Sequence, residues 1–221
     1  RGLGDVYKRQ LVQALCAQQQ ALETRMNAQY QDMLDYYTLW AHQIKTPIAS
    51  MRLCLQQEDT PQARRLLQEL SRAEQYVGMV MVYLRLTGGS DLVLREYELD
   101  AIVRRAVRRF AGEFIGRKLK LCYEPLNVSC VTDEKWLLFV IEQVLSNALK
   151  YTRAGSITIE LEAPKTLVIR DTGIGVAPED LPRIFEKGYT GYNGRGDQKA
   201  SGLGLYLCRT ICKRLGHTIT A

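Results

Sequence analysis

No stretch of this 221-residue sequence is apolar for long enough to cross a membrane as a helix. The longest nearly uncharged apolar run, Val77 to Leu84, falls far below the ~18 residues a span needs. Low-complexity blocks are missing too, and 46% hydrophobic residues is an ordinary share for a folded chain, so disorder is excluded. The cysteines (Cys16, Cys54, Cys122, Cys130, Cys208 and Cys212) form no C-x-x-C pair and no zinc-ligand spacing. Reduced, mostly buried thiols are the expectation. Nucleic-acid binding lacks support, because no aromatics interleave the basic residues and no recognition-helix pattern occurs. No secretory signal heads the chain, and it starts with Arg1 rather than Met, so it reads as a piece of something longer.

What is present begins with a modest positive charge. Of the net +6, residues 1–91 hold 10 basic and 9 acidic side chains, and the remainder holds 20 and 15. The surplus is spread out, except for Arg104, Arg105, Arg108 and Arg109, which crowd one side of a helix. A solvated helix face is the plain reading of those four; attraction to phosphates or an anionic surface is the alternative.

The first ten residues, RGLGDVYKRQ, do not share the heptad pattern that starts at Val12 and read as a non-native lead sequence. That heptad stripe sets Val12, Gln19, Met26, Met33 and Trp40 at one position, and Leu15, Leu22, Gln29 and Tyr36 at the other. Alternating steps of three and four mark a supercoiling helix. Pro47 should kink it locally, and it should stop near Glu58. Thr60 followed by Pro61 reads as an N-cap and first helical position. A second seam then appears at Leu66, Leu70, Ala73, Val77, Val80 and Leu84, with Gly88-Gly89-Ser90 ending it. Residues 11–87 therefore make a helical hairpin, and two hairpins would pair into a four-helix bundle as a homodimer.

Past a linker at 88–91 the pattern changes. Strand-like runs occur at Leu92–Tyr97, Leu119–Tyr123, Ser156–Leu161 and Leu167–Asp171, and helical ones at Ala101–Phe114, Glu134–Tyr151 and Ser201–Leu215. Asp100 and Asp133 are expected to cap the first two helices. This mixture predicts an α/β sandwich over residues 92–221, with helices on one face of a mixed sheet. Gly173 through Ala200 contains no clear element and reads as a lid.

Four segments of that domain carry chemistry. In Glu142-Gln-Val-Leu-Ser-Asn147-Ala-Leu-Lys150-Tyr151, Asn147 offers a carbonyl oxygen of the kind Mg²⁺ prefers, and Lys150 lies one turn on, within reach of a phosphate. Asp171-Thr-Gly173-Ile-Gly175 comes directly after a strand; an Asp there can accept from an exocyclic amine, and the glycines permit close backbone approach. Taken alone, that segment suits an ordinary turn equally well. Ile184-Phe185-Glu186-Lys187-Gly188 places an aromatic anchor inside the lid. Ser201-Gly202-Leu203-Gly204-Leu205 opens a helix, whose free N–H groups make a phosphate cradle.

In this order and spacing the four segments resemble the N, first glycine, F and second glycine boxes of the Bergerat-fold (GHKL) ATPases. That superfamily holds the sensor histidine kinases, gyrase-type ATPases and Hsp90-type chaperones. The resemblance implies ATP and Mg²⁺ beneath a mobile lid. It assigns Asn147 to the metal and Asp171 to the adenine amine, with Gly173 and Gly175 shaping the pocket. Lys150, Tyr151, Phe185, Lys187 and Leu203 would line the site, with Gly202 and Gly204 at the phosphates. Two departures stand out: Gln143 replaces the earlier Asn of the N box, and Ala200 replaces the first glycine of the last box.

The hairpin carries Ala41-His42-Gln43-Ile44-Lys45-Thr46-Pro47. A lone helical His is ordinarily an unremarkable surface or core residue. Heptad counting, however, sets His42 beside the seam, and neutral imidazole is a competent nucleophile near neutral pH. The string resembles the phosphoacceptor box of sensor histidine kinases, with His42 as acceptor and Thr46 at the position that orients water for dephosphorylating the partner. Gln43 departs from the acidic residue usual there; an amide can orient the ring but cannot take a full charge. The H-Q-I-K-T-P form resembles the short two-span sensor kinases that work with peptide-antibiotic ABC transporters.

The resemblance implies the cytoplasmic core of a bacterial membrane sensor that phosphorylates His42 from ATP and passes the group to an Asp of a response regulator receiver domain. Two rivals remain: a Bergerat-fold protein-serine kinase, and a kinase-dead ATP-binding dimeric adaptor. Leu215 to Ala221 resembles the start of a strand with a further partner, so the domain reads as cut short.

Overall fold

The computed structural model describes residues 2–87, 92–191 and 201–221, with side chains from residue 7 onward. The chain divides into two compact units, Arg1–Ser90 and Asp91–Ala221. The predicted linker at 88–91 and the Ala200 position lie outside the described residues.

The first unit is a hairpin of α1 (Gly2–Gln56) and α2 (Pro61–Thr87). Helix α1 takes in residues 2–10 and runs through Pro47 without interruption; lacking an N–H, Pro47 deprives the Gln43 carbonyl of its helical donor. The turn forms as the sequence predicts. Thr60 Oγ1 accepts the Ala63 N–H at 3.0 Å, capping α2, and Pro61 takes the first helical position.

The seam meeting α2 is not the predicted one. Leu34, Ala41 and Ile48, seven residues apart, are buried, along with Ala63, Met79, Met81, Leu84 and Leu86 of α2. The predicted stripe turns away: Val12 is 58%, Met26 60%, Tyr36 64% and Trp40 43% exposed. Length explains part of this. At ~1.5 Å per residue, α2 is about half as long as α1, so α2 cannot reach the upper stripe. A polar pair sits inside the hairpin contact: Arg52 Nη2 donates to Glu74 Oε2 at 2.5 Å and to Ser71 Oγ at 3.4 Å, while Arg52 Nε is buried without a partner.

The second unit runs β1 (Arg95–Glu98), α3 (Leu99–Gly116), β2 (Lys120–Tyr123), β3 (Ser129–Thr132), α4 (Glu134–Tyr151), β4 (Ser156–Glu162), β5 (Thr166–Asp171) and α5 (Gly204–Leu215). Strand β2 pairs parallel with β4, and β4 antiparallel with β5; β1 and β3 form a separate antiparallel pair. Helices α3 and α4 bury Ile102, Val103, Leu145 and Leu149 against Ile157 and Ile159 of β4. Their alternation along β4 is what a strand with one covered face requires.

Several expectations need correction. Strand β3 is not among the predicted strands, since Ser-Cys-Val-Thr carries little signal without its partner. Asp100 does not cap α3: Glu98 holds that position with no side-chain bond. The Asp100 carboxylate instead accepts from the Tyr123 hydroxyl, the Leu126 N–H and Arg104 Nε. Asp133 does cap α4, accepting from Lys135 and Trp136 at 3.0 and 3.2 Å while its other oxygen takes the Val93 N–H. Helix α5 begins at Gly204 rather than Ser201, because Gly202 adopts φ +65°, a left-handed value that no helix continues. The thiols are not mostly buried: Cys16 and Cys54 are exposed, and only Cys208 and Cys212 are buried. The basic run is a solvated face. Arg104, Arg105 and Arg109 pair with Asp100, Glu134 and Glu142.

Candidate active site

In the α/β unit the turn after β5 lies against the C-terminal end of α4 at Tyr151, and the start of α5 lies against Gln143 in the middle of α4. Register places Asp171 opposite Ile157, at the last rung of the β4–β5 ladder. There its Oδ1 accepts the Gly173 N–H at 2.8 Å and meets the fully buried Thr152 hydroxyl at 3.4 Å. This local bond aims an exposed carboxylate outward from a fixed backbone. Gly173 has no room for a side chain: a β-carbon would lie 2.5 Å from the Tyr151 carbonyl oxygen. Thr172 fastens the other side, bonding both the N–H and the carbonyl of Ser156.

Asn147 is half-buried on α4, one turn beyond Gln143. Gln143 itself reaches α5, where its Oε1 lies 2.9 Å from the place a β-carbon on Gly204 would occupy. Lys150 Nζ stands 4.9 Å from the centre of the Tyr151 ring. At the start of α5 no side chain caps the helix, so its first-turn N–H groups remain available to an anion. Gly202, two residues earlier, accepts the Gly188 N–H at 3.0 Å, and a β-carbon there would strike Gly188 at 2.4 Å. Phe185 is half-buried with the Arg209 guanidinium 5.9 Å from its ring, while Lys187 and Gly175 are exposed. Residues 173–190 hold no helix or strand, residue 191 is helical, and residues 192–200 of the predicted lid lie outside the described residues. Burial pushes the Cys208 and Cys212 thiols up, which leaves them inert packing on α5.

In the hairpin, His42, Gln43 and Thr46 are all exposed on α1, and Ala41 beside them is buried against α2. Gln43 lies ~100° round the helix from His42 and does not bond its ring.

Residues 132–221 match the model of the histidine kinase-, DNA gyrase B-, and HSP90-like ATPase family. The sensor histidine kinase YxdK of Bacillus subtilis is 31% identical over 97% of this chain and 68% of its own length. The chain belongs to the sensor histidine kinases. Its second unit carries the GHKL-type ATPase domain of that family. The sensor protein BceS of Halalkalibacterium halodurans is 31% identical over 87% of this chain and 58% of its own length. For the sensor histidine kinase GraS of Staphylococcus epidermidis the figures are 36%, 81% and 54%. The chain thus spans between about half and two-thirds of these relatives. Among solved structures, full-length ShkA in complex with AMPPNP shares the fold with a TM-score of 0.57 at 22% identity, over 82% of this chain and 41% of that one. Acinetobacter baumannii AdeS gives 0.53 at 21%, over 78% and 86%.

Of the motif residues read from the sequence, Gly173 lies against Asp171 and the Tyr151 carbonyl, and Gly204 lies against Gln143, so both glycine segments meet the helix that carries Asn147. Sequence reasoning missed the residues that hold them. Thr152 and Thr172, directly after the N-box helix and directly after Asp171, fix the carboxylate and its turn. Gln143, which the sequence shows only as a departure, packs on Gly204. Nothing in a single sequence distinguishes such supporting residues from their neighbours.

Proposed function

We propose that this chain is the cytoplasmic catalytic core of a membrane sensor kinase that transfers the ATP γ-phosphoryl group to His42, then to an aspartate of a response regulator. One observation carries this reading: a single chain holds an exposed H-Q-I-K-T-P histidine on a long helix, and an α/β unit whose glycines Gly173 and Gly202 leave no room for side chains beside a helix start without a side-chain cap.

The residues present fit ATP. Asp171 would offer its carboxylate to the adenine amine, Gly173 leaves no side chain beside it, and the first-turn N–H groups of α5 would hold the phosphates. Asn147 would hold Mg²⁺ through its side-chain oxygen, and Lys150 would meet a phosphate. The metal supplies charge neutralisation at the phosphoryl oxygens when bound. His42 contributes an accessible imidazole nitrogen as nucleophile. Gln43 leaves its proton to solvent, and Thr46 sits one turn further on the same helix for water-assisted dephosphorylation.

The exposed Val12–Trp40 stripe supports a homodimer in which the second copy covers what α2 does not reach. Among the described residues no helix is long and apolar enough to cross a membrane. The H-Q-I-K-T-P form supports association of the full-length protein with a peptide-antibiotic ABC transporter.

The test is incubation with γ-labelled ATP and Mg²⁺, followed by acid treatment and addition of a receiver domain. Acid-labile label that moves to the receiver supports the reading. Acid-stable label would favour a serine kinase, and absence of label with retained ATP binding would favour an adaptor.

A further inference from the structure

Asp180 stands out in the segment after the Asp171–Gly175 turn. It is 8% exposed, the one carboxylate besides Asp133 that is buried among the described residues. The hydroxyl of Tyr189 donates to its Oδ1 at 2.5 Å. Its other oxygen lies 3.0 Å from where a β-carbon on Gly191 would sit, and Gly191 adopts φ +59°. Burying a carboxylate costs several kcal/mol unless it is well bonded, so a mere surface turn gains nothing from one here.

The bonds around it lead towards the phosphate end of the pocket. The Arg183 N–H donates to the Asp180 carbonyl at 2.9 Å, and the Arg183 guanidinium lies 4.4 Å from the Tyr189 ring centre. Tyr189 directly follows Gly188, whose N–H donates to Gly202 and whose backbone fills the space a Gly202 side chain would need. Gly202 stands two residues before the first residue of α5. Fixing the Tyr189 ring therefore fixes Gly188, and through it the entry to α5.

We propose that Asp180 is a positioning residue for the terminal phosphates of the nucleotide, acting through Tyr189 and the Gly188–Gly202 backbone contact. This rests on the nucleotide-site reading above. Asp180 and Tyr189 set the aim of the α5 N–H groups, whereas Asp171 holds the adenine independently. Loss of the clip weakens binding of the triphosphate end and leaves the adenosine end as it was.

The experiment measures the affinity of AMPPNP and of ADP, each with Mg²⁺, for the full chain and for Asp180→Ala, Asp180→Asn and Tyr189→Phe, with thermal melting in parallel. Asp180→Ala and Tyr189→Phe are expected to lose about 10-fold in AMPPNP affinity, as removal of one charge-assisted bond predicts, with ADP changed less than about twofold. Asp180→Asn, which still accepts from the Tyr189 hydroxyl, recovers part of the loss. Equal affinities to the unsubstituted chain would overturn the proposal. So would a parallel loss for both nucleotides with a lowered melting temperature, which is what a purely structural role produces. An unsubstituted chain that binds neither nucleotide would instead bring down the nucleotide-site reading itself, and this proposal with it.

Discussion

The Asp171 carboxylate accepts the N–H of Gly173 at 2.8 Å, two residues along the same turn, and so is aimed before any ligand arrives. Asp171→Asn keeps that acceptor but loses the charge offered to an exocyclic amine. Nucleotide affinity should fall about 10- to 100-fold, the range of a hydrogen bond to a charged group, with the melting temperature nearly unchanged. Titration calorimetry with ADP checks it; unchanged affinity would remove Asp171 from the site.

The glycines of the site differ in what surrounds them, and their alanine variants should differ accordingly. At Gly173 and Gly202 a β-carbon would lie within 2.5 Å of backbone atoms, which cannot swing aside. Each should cost at least ~1–3 kcal/mol of stability, as overpacking does. Gly204 meets only the movable end of Gln143, so Gly204→Ala should cost less than ~1 kcal/mol, the range of tolerated packing changes. Gly175 faces open space, and its φ of +69° alone should cost ~1–2 kcal/mol. Urea unfolding of the four variants gives the ranking.

Inside the hairpin the Arg52–Glu74 pair is a third exposed on each side, and Arg52 leaves one nitrogen buried and unbonded. Partly solvated pairs contribute little, so Arg52→Met should leave hairpin stability within ~1 kcal/mol. Glu74→Ala should be the worse change, because it strands the guanidinium. A helical unfolding transition followed by circular dichroism would show the order, and the reverse order would contradict it.

Burial lowers the His217 pKa below its ordinary 6.5, and its Nε2 meets Thr132 Oγ1 at 3.2 Å. A folded-state value depressed in this way favours the neutral ring. The stability it contributes is therefore complete above the unfolded value near 6.5 and is lost as the pH falls from there through the folded one. Unfolding free energy should decline as the pH drops below that value, and His217→Gln should flatten the decline. An identical pH profile for both proteins would contradict the assignment.

Much of this is legible from residue order alone. Thr60-Pro61, Asp133 and the helix from Glu134 to Tyr151 carry local signals, and each sits where its pattern puts it. Elements defined by a partner are not legible. Strand β3 has four residues and exists by pairing with β1, and Asp100 is drawn from the cap position by Tyr123, 23 residues away. The α1 seam differs from its expected place for a related reason. Heptad spacing shows that a stripe will be covered, but it does not say by which helix. In the site, the motif residues are readable, while Thr152, Thr172, Asp180 and the Gln143–Gly204 contact emerge only from the fold.

The central claim is that the nucleotide pocket serves the histidine on α1. Labelling with γ-labelled ATP and Mg²⁺ should give acid-labile phosphate on the intact chain and none on His42→Gln, with both proteins binding ADP equally. Persistent label on His42→Gln would contradict the account.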